Sequence, residues 1–227
     1  MNMESTIRGG RMSSIENLEL KREVMLKLIK ALLDGEELDE IAKIISMDPN
    51  LSARLLKFIN SPFFGLKKEI KSIVQAIAYL GYRNLKDYVF VLLTSSLLKN
   101  ANRDEIKRVL KFAYLMRELA KRLLPEHEDE AYMVGILEPV REEIGEEIKE
   151  ILDKAGVSDY VIAGLLDPTS KLGRLKEEAK ELMKVCDELV NGKEVELPPN
   201  LSQIRKEELT ESCILAEDSA QSVLSTL

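Results

Sequence analysis

A chain of 227 residues, 45% apolar and 32% charged, is long enough to bury a core and too apolar for wholesale disorder. Its longest apolar run, VFVLL at 89–93, is far short of the roughly 20 residues that a membrane helix needs. The net charge of −7 conceals a split, with 22 Lys and Arg against 15 Asp and Glu over residues 1–122 and 11 against 25 over residues 123–227, and the acidic total argues against a dedicated nucleic-acid binder.

The opening MNMESTIRGGRMSS carries no apolar block of the secretory kind, and residues 1–19 read as an extension ahead of the fold. From there the apolar spacing is helical. Val24, Leu28 and Leu32, with Met25, Ile29 and Leu33, recur at i, i+4 and i+8, and Gly35 supplies the left-handed residue that ends such a helix. Leu38, Ile41, Ala42 and Ile45 predict a short second helix. Asp48-Pro49 reads as an N-cap followed by proline at the first helical position, opening a third helix through Leu51, Leu55, Phe58 and Ile59 that stops before Pro62. Ser72 can cap a fourth helix ending at Leu80-Gly81, and Asn84 a fifth running to Leu98.

Asn102 and Glu105 make an approximate capping pair for the longest helix, whose apolar face is Ile106, Leu110, Ala113, Met116, Ala120 and Leu123. Its roughly 20 residues, at ~1.5 Å each, span about 30 Å before Pro125 ends it. Residues 128–144 are helical in pattern, but Pro139 is expected to kink or end that helix. Further helices are predicted around 146–155, 159–166, 171–190 and 203–225, with residues 191–202, which hold Gly192, Pro198 and Pro199, as the linker. Neither strand alternation nor a tandem repeat occurs. The predicted class is all-α, a bundle of about ten helices: one domain over residues 20–190, with the linker and last helix, 191–227, packed on it.

One stretch carries more than periodicity. Residues 44–81 contain Asp48-Pro49, Leu51-Ser52, Asn60-Ser61, Phe64-Gly65, Ile70-x-Ser72-Ile73, Ala76-Ile77 and Leu80-Gly81 in that order, and this string resembles the signature of the HDOD family. The likeness continues more weakly to about residue 190, where YLMRELAKRL and YMVGILEPVREEIG look like the version attached to EAL cyclic-di-GMP phosphodiesterase modules. No room exists here for an EAL barrel of ~250 residues. The resemblance implies an HD-like helical core and a bacterial signal-transduction module that works by protein–protein interaction, with a link to cyclic-di-GMP signalling. The physical reading of the same residues is that most of them define loops of the bundle. Within them Asn60, Ser61, Phe63, Phe64 and Gly65 form the best-placed candidate interaction loop, because function concentrates on positioned loops.

The resemblance also implies where catalysis is lost. Family members that keep the metal-binding pair have Gly-Leu-Leu followed by His-Asp, whereas here Gly135-Ile136-Leu137 is followed by Glu138-Pro139. Proline has no side-chain ligand atom, and the chain's one histidine, His127, sits in an acidic connector where an exposed loop residue is expected. No metal or cofactor is therefore expected. Phosphate-binding and nucleophile-elbow motifs do not occur. Glu142, Glu146 and Glu150, with Glu143 and Glu147, recur at i, i+4 on one predicted helical stretch and read as a solvated face. Cys186 and Cys213 have neither metal nor disulfide-framework spacing, and Cys186 reads as a small buried hydrophobe in a reduced, cytosolic, unanchored protein.

Arg103, Lys107 and Lys111 lie at i, i+4, i+8 with Arg108 and Lys99 nearby, either a face that pairs with the acidic half or an anion-docking surface. Two other classes stay open beside the interaction module: a metal-dependent phosphohydrolase with an altered site, and a regulator touching nucleic acid or nucleotide through the 99–122 face. The partner expected for the first is another signalling protein, with no membrane role.

Overall fold

The computed structural model describes residues 22–98 and 102–225; the expected extension at 1–19 and Lys99 lie outside the described residues. Among the described residues the regular structure is helical throughout: α1 (Arg22–Asp34), α2 (Leu38–Ser46), α3 (Pro49–Ile59), α4 (Ile73–Leu97), α5 (Arg103–Leu123), α6 (Glu128–Ile144), α7 (Ile148–Lys154), α8 (Asp159–Leu166), α9 (Lys171–Val190) and α10 (Lys206–Leu224). Several starts follow from local chemistry. The Asp48 carboxylate accepts from Asn50 N–H at 2.9 Å with Pro49 at the first position of α3, and Asn102 Oδ1 accepts from Glu105 N–H at 2.8 Å at the start of α5. These bonds satisfy donors that a helix start otherwise leaves bare.

The α5 helix is the axis of the molecule. Its buried face, including Ile106, Leu110, Ala113, Met116 and Ala120, packs most extensively on α6 and α10 and then on α9. Helices α1, α2 and α3 gather on α4, and α4 also touches α6. After the linker α10 returns to lie on α5 and α9. No helix among the described residues is long and apolar enough to cross a membrane.

Three local expectations are corrected. The predicted break between the fourth and fifth helices is a kink inside one helix, where only Gly81 (φ 74°, ψ 165°) leaves helical geometry. Asn84 does not open a new helix; its side-chain amide donates to the Leu80 carbonyl at 2.9 Å and closes the half before the kink. Pro139 neither ends nor breaks α6, which runs on to Ile144. The ring removes the N–H that would bond the Gly135 carbonyl, yet α6 is held by close packing on α5. A Cβ on Gly135 would lie 2.6 Å from the Ala113 Cα, so only glycine allows that approach. The glutamates 142–150 do not share one helix, because Gly145 (φ 64°) separates α6 from α7.

The cysteines are the largest correction. Cys186 of α9 and Cys213 of α10 form a disulfide with a Cα–Cα distance of 5.5 Å, so the pair is not a reduced one. Spacing in sequence could not show this, because the linker folds α10 back onto α9 and brings together residues 27 apart. Closing a loop of that length is worth about 2–4 kcal/mol. The expected outcome for Cys213→Ala is a loss of about that size in urea unfolding under oxidising conditions. The gap from the parent protein should largely close when reductant is added.

Candidate functional site

The loop at 60–65 is built from α3 outward. Asn60 closes α3 and acts as a clasp: its amide donates to Leu56 O at 2.9 Å and Ile70 O at 2.7 Å, and its Oδ1 accepts from Ile70 N–H at 2.8 Å. Both ends of the loop are thereby tied together. A single 3-10 turn, Pro62–Phe64, follows, and Gly65 sits in the left-handed region at φ 57°. Ser61 Oγ is buried without a hydrogen-bond partner. The two phenylalanines diverge. Phe64 packs edge-on to Phe58 (5.2 Å) and Tyr79 (6.1 Å) against the core, whereas Phe63 is 54% exposed. Asn60, Ser61 and Gly65 therefore shape the loop, and Phe63 is the side chain it presents.

Behind this loop lies a cleft of about 410 Å³ between α4, α5, α6 and α10. Asp87 of its inner wall belongs to a buried charge pair that no motif marked. Arg117 of α5 bonds Asp87 of α4 through both carboxylate oxygens, at 2.7 and 2.8 Å, and reaches Asp129 of α6 at 3.3 Å. The guanidinium lies over the Tyr132 ring, 4.0 Å from its centroid. Burial pushes the Asp87 carboxyl up, and Arg117 only partly restrains it. Burial works against the Arg117 charge as well, but Asp87 outweighs it and keeps the guanidinium above its ordinary value. Burial pushes the Tyr114 hydroxyl up to about 12 and the Tyr132 hydroxyl well above its usual range. Sequence offered one weak signal for this cluster: Asp87 sits directly before an apolar run, and Arg117 interrupts an otherwise apolar helix face.

At Glu138 and Pro139, where the resemblance would place a metal-binding pair, the structure holds a buried ion cluster. Glu138 is 2% exposed and accepts from Arg141 (2.6 and 2.9 Å), Lys180 (2.6 Å) and the buried Lys176 (3.2 Å). Lys176 also donates to the Leu165 carbonyl at 2.7 Å. Burial opposes ionisation of Glu138, but the hydrogen bonds from Arg141 and Lys180 and the Lys176 charge outweigh it and hold the carboxyl below the ordinary glutamate range. Burial depresses the Lys176 ammonium despite its anionic partner.

These residues do not fit a metal. Both oxygens of Glu138 already face cations that would repel one, and Pro139 offers no ligand atom. Nor do three His, Cys, Asp or Glu side chains converge as a ligand set among the described residues. His127 is remote, roughly 16 Å away along α6 at ~1.5 Å per residue. It is not an exposed loop residue as expected but half-buried, its ring 4.4 Å from that of Tyr160.

The basic face meets the acidic half of the chain. Lys107 pairs with Glu217 at 2.6 Å, and Lys111, 14% exposed, bonds Asp187 at 2.9 Å and Glu217 at 3.1 Å. Arg122 reaches Glu211 at 2.9 Å. Arg108 bonds only its own helix, at Glu105 (2.7 Å), and Arg103 is exposed at the start of α5. Lys107, Arg108 and Lys111 line a cleft shared with α9 and α10 in which no aromatic side chain takes part among the described residues.

Comparison with known proteins agrees with the helical core and the 44–81 string. Residues 19–146, more than half of the chain, match the family model described as the HDOD domain. The chain belongs to the HDOD family. It is 27% identical over 158 residues to the uncharacterized protein YuxH of Bacillus subtilis (strain 168), a match covering 66% of this chain and 39% of YuxH. It is 22% identical over 168 residues to the cyclic di-GMP phosphodiesterase CdgJ of Vibrio cholerae serotype O1, covering 74% of this chain and 39% of CdgJ. The HDOD chain thus spans well under half the length of these relatives. A crystal structure from Shewanella amazonensis SB2B that goes under a phosphohydrolase name shares the fold, with a TM-score of 0.61 and 18% identity over 93% of this chain and 94% of that one.

Two outcomes follow for the ion pairs of this HDOD chain. Glu138→Gln leaves the buried Lys176 with Glu177, 3.9 Å away and half-exposed, as its remaining carboxylate and is expected to cost about 2–4 kcal/mol at neutral pH. Because the folded carboxyl titrates below its unfolded value of 4.5, its contribution is present above that pH and lost as pH falls through the lower folded value. The gap between variant and parent in urea unfolding should therefore narrow on acidification. Reversing Lys107 and Lys111 to Glu should cost about 1–2 kcal/mol, more at low salt than at high salt, whereas Arg108→Glu alone should change stability by less than about 0.5 kcal/mol. Melting curves at two salt concentrations check both.

Proposed function

We propose that this HDOD protein is a non-catalytic signal-transduction module that acts by docking another protein, with Phe63 as the anchor. The observation that carries the reading is that Phe63 stands 54% exposed on a loop whose ends are clasped by Asn60. A loop fixed in this way presents an aromatic ring at little ordering cost, and such rings commonly dominate interfaces. The absence of catalysis is supported by the cations gathered on Glu138, which occupy the carboxylate where a metal would need it. The likeness to CdgJ supports a place in a cyclic-di-GMP-linked pathway, and a cytoplasmic location belongs to the same proposal.

The test separates docking from packing. Phe63→Ala should abolish capture of the partner from the source cell's lysate while costing less than about 1 kcal/mol of stability. Phe64→Ala should cost about 2–4 kcal/mol, since its ring supports Phe58 and Tyr79. Normal capture by Phe63→Ala refutes the loop as the docking site. Metal-dependent phosphodiesterase turnover that vanishes in Glu138→Ala refutes the non-catalytic reading.

A further inference from the structure

The loop that carries Phe63 is closed at its base by the bonds between Asn60 and Ile70, and its residues sort into two sets. Phe64, Leu66 and Ile70 are half-buried against the core, whereas Phe63, Lys67 and Lys68 are exposed. Tyr79 extends the aromatic surface. It is 52% exposed, its ring lies 6.1 Å from that of Phe64, and the Phe64 ring is in turn 5.0 Å from Phe63. Two exposed rings are therefore joined through a third that is pinned to the core. Phe63 and Lys67 are four residues apart in the chain, so their Cα atoms lie at most about 14 Å apart, within the span of one short peptide.

The charge beside these rings is positive and uncompensated. Residues 50–79 hold five Lys and Arg against one acidic residue, Glu69. Glu69 lies 3.6 Å from Lys71, which leaves Lys67 and Lys68 with no carboxylate partner among the described residues. Several exposed lysines on the helices differ in this respect: Lys43 pairs with Glu40, Lys154 with Glu150 and Lys184 with Glu181, each about one turn away. An anionic group arriving at the loop thus finds lysines whose charge no existing pair holds. The fold also limits how extended that anion can be. Asp218 of α10 lines the same cleft as Phe63, and α10 carries five acidic residues against one lysine. A long polyanion laid across the loop runs on to like charge, whereas a short acidic segment can reach the lysines without crossing α10.

We propose that the partner docked on Phe63 presents a short acidic segment with an apolar side chain, the apolar group on the Phe63 and Tyr79 rings and its carboxylates on Lys67 and Lys68. The proposal rests on the docking role of Phe63 and adds the chemistry of the partner. The full chain is titrated against a labelled short peptide in which glutamates flank one phenylalanine, with fluorescence anisotropy as the readout. Saturable binding is expected, weakening as salt rises and at low salt about tenfold or more tighter than that of the same peptide with glutamine for glutamate. Lys67→Glu with Lys68→Glu, an exposed change that leaves the melting temperature unaltered, should cost at least about tenfold in binding and remove most of its salt dependence. No saturable binding of the glutamate peptide, or binding that the double lysine variant keeps, overturns the proposal. So does tighter binding of oligothymidylate or of phosphatidylserine vesicles than of the glutamate peptide, which would make the loop a nucleic-acid or membrane surface. If the glutamine peptide binds equally well and Phe63→Ala abolishes it, the docking role stands and the acidic partner fails. If Phe63→Ala binds the glutamate peptide as the parent does, the docking reading fails and this proposal with it.

Discussion

The bidentate bond between Arg117 and Asp87 is the contact on which the arrangement of this HDOD protein most depends. It joins the second half of α4 to α5 where both are otherwise apolar, and through Asp129 and the Tyr132 ring it extends to α6. Placing a guanidinium and a carboxylate in the interior carries a desolvation cost that an apolar pair would avoid. What the pair supplies instead is register. A leucine can slide along a helix face with small loss, whereas two parallel N–H···O bonds at 2.7 and 2.8 Å admit one relative position of α4 and α5. The cleft behind the loop inherits its inner wall from that register.

A second buried ion cluster does for α6 and α9 what a metal would do by coordination. Glu138 projects from α6 and gathers Lys176 and Lys180 from α9, with Arg141 from its own next turn. The chemistry differs from metal binding in one decisive respect. A metal site needs carboxylate and imidazole lone pairs with no competing cation, and it leaves a position open for water or substrate. Here the groups bonded to Glu138 are tethered ammonium and guanidinium ions, with Glu142 and Glu177 at the rim of the cluster, so the buried negative group is neutralised by the protein itself. The fold shared with the Shewanella structure thus coexists, in this chain, with a buried carboxylate held by cations of its own protein.

Much of the fold was legible because helix ends in this chain are written locally. Asp48-Pro49, Asn102 and Gly35 act within a few residues of themselves, and their effects can be read without knowing what lies across the bundle. What sequence did not disclose is what depends on contact across distance. Asp87 and Arg117 are 30 residues apart, and Cys186 and Cys213 are 27 apart, so neither pairing leaves a local trace. Pro139 misled for a related reason: its local penalty is real, but α6 packs closely on α5 at Gly135 and Ala113 and continues past it to Ile144. For the candidate loop, sequence located the segment and the division of labour between its phenylalanines needed the structure. Phe64 faces Phe58 and Phe63 faces solvent, a difference set by the turn and not by residue type.

The last helix ties these elements together. α10 meets α5 through Lys107, Lys111 and Arg122, whose acidic partners Glu217 and Glu211 it carries, and it meets α9 through the disulfide. On its other side it supplies Asp218, Ser219 and Ser222 to the cleft behind the loop. One helix therefore links a covalent bond, a set of surface ion pairs and a wall of the cleft. Exposed pairs contribute only ~0–1 kcal/mol each and fade with salt, so the disulfide is the tether that persists when they are screened. Breaking it would leave α10 held by apolar packing and by charges that ionic strength can weaken. The outer wall of the cleft would loosen first, while the Arg117–Asp87 register and the inner wall stayed in place.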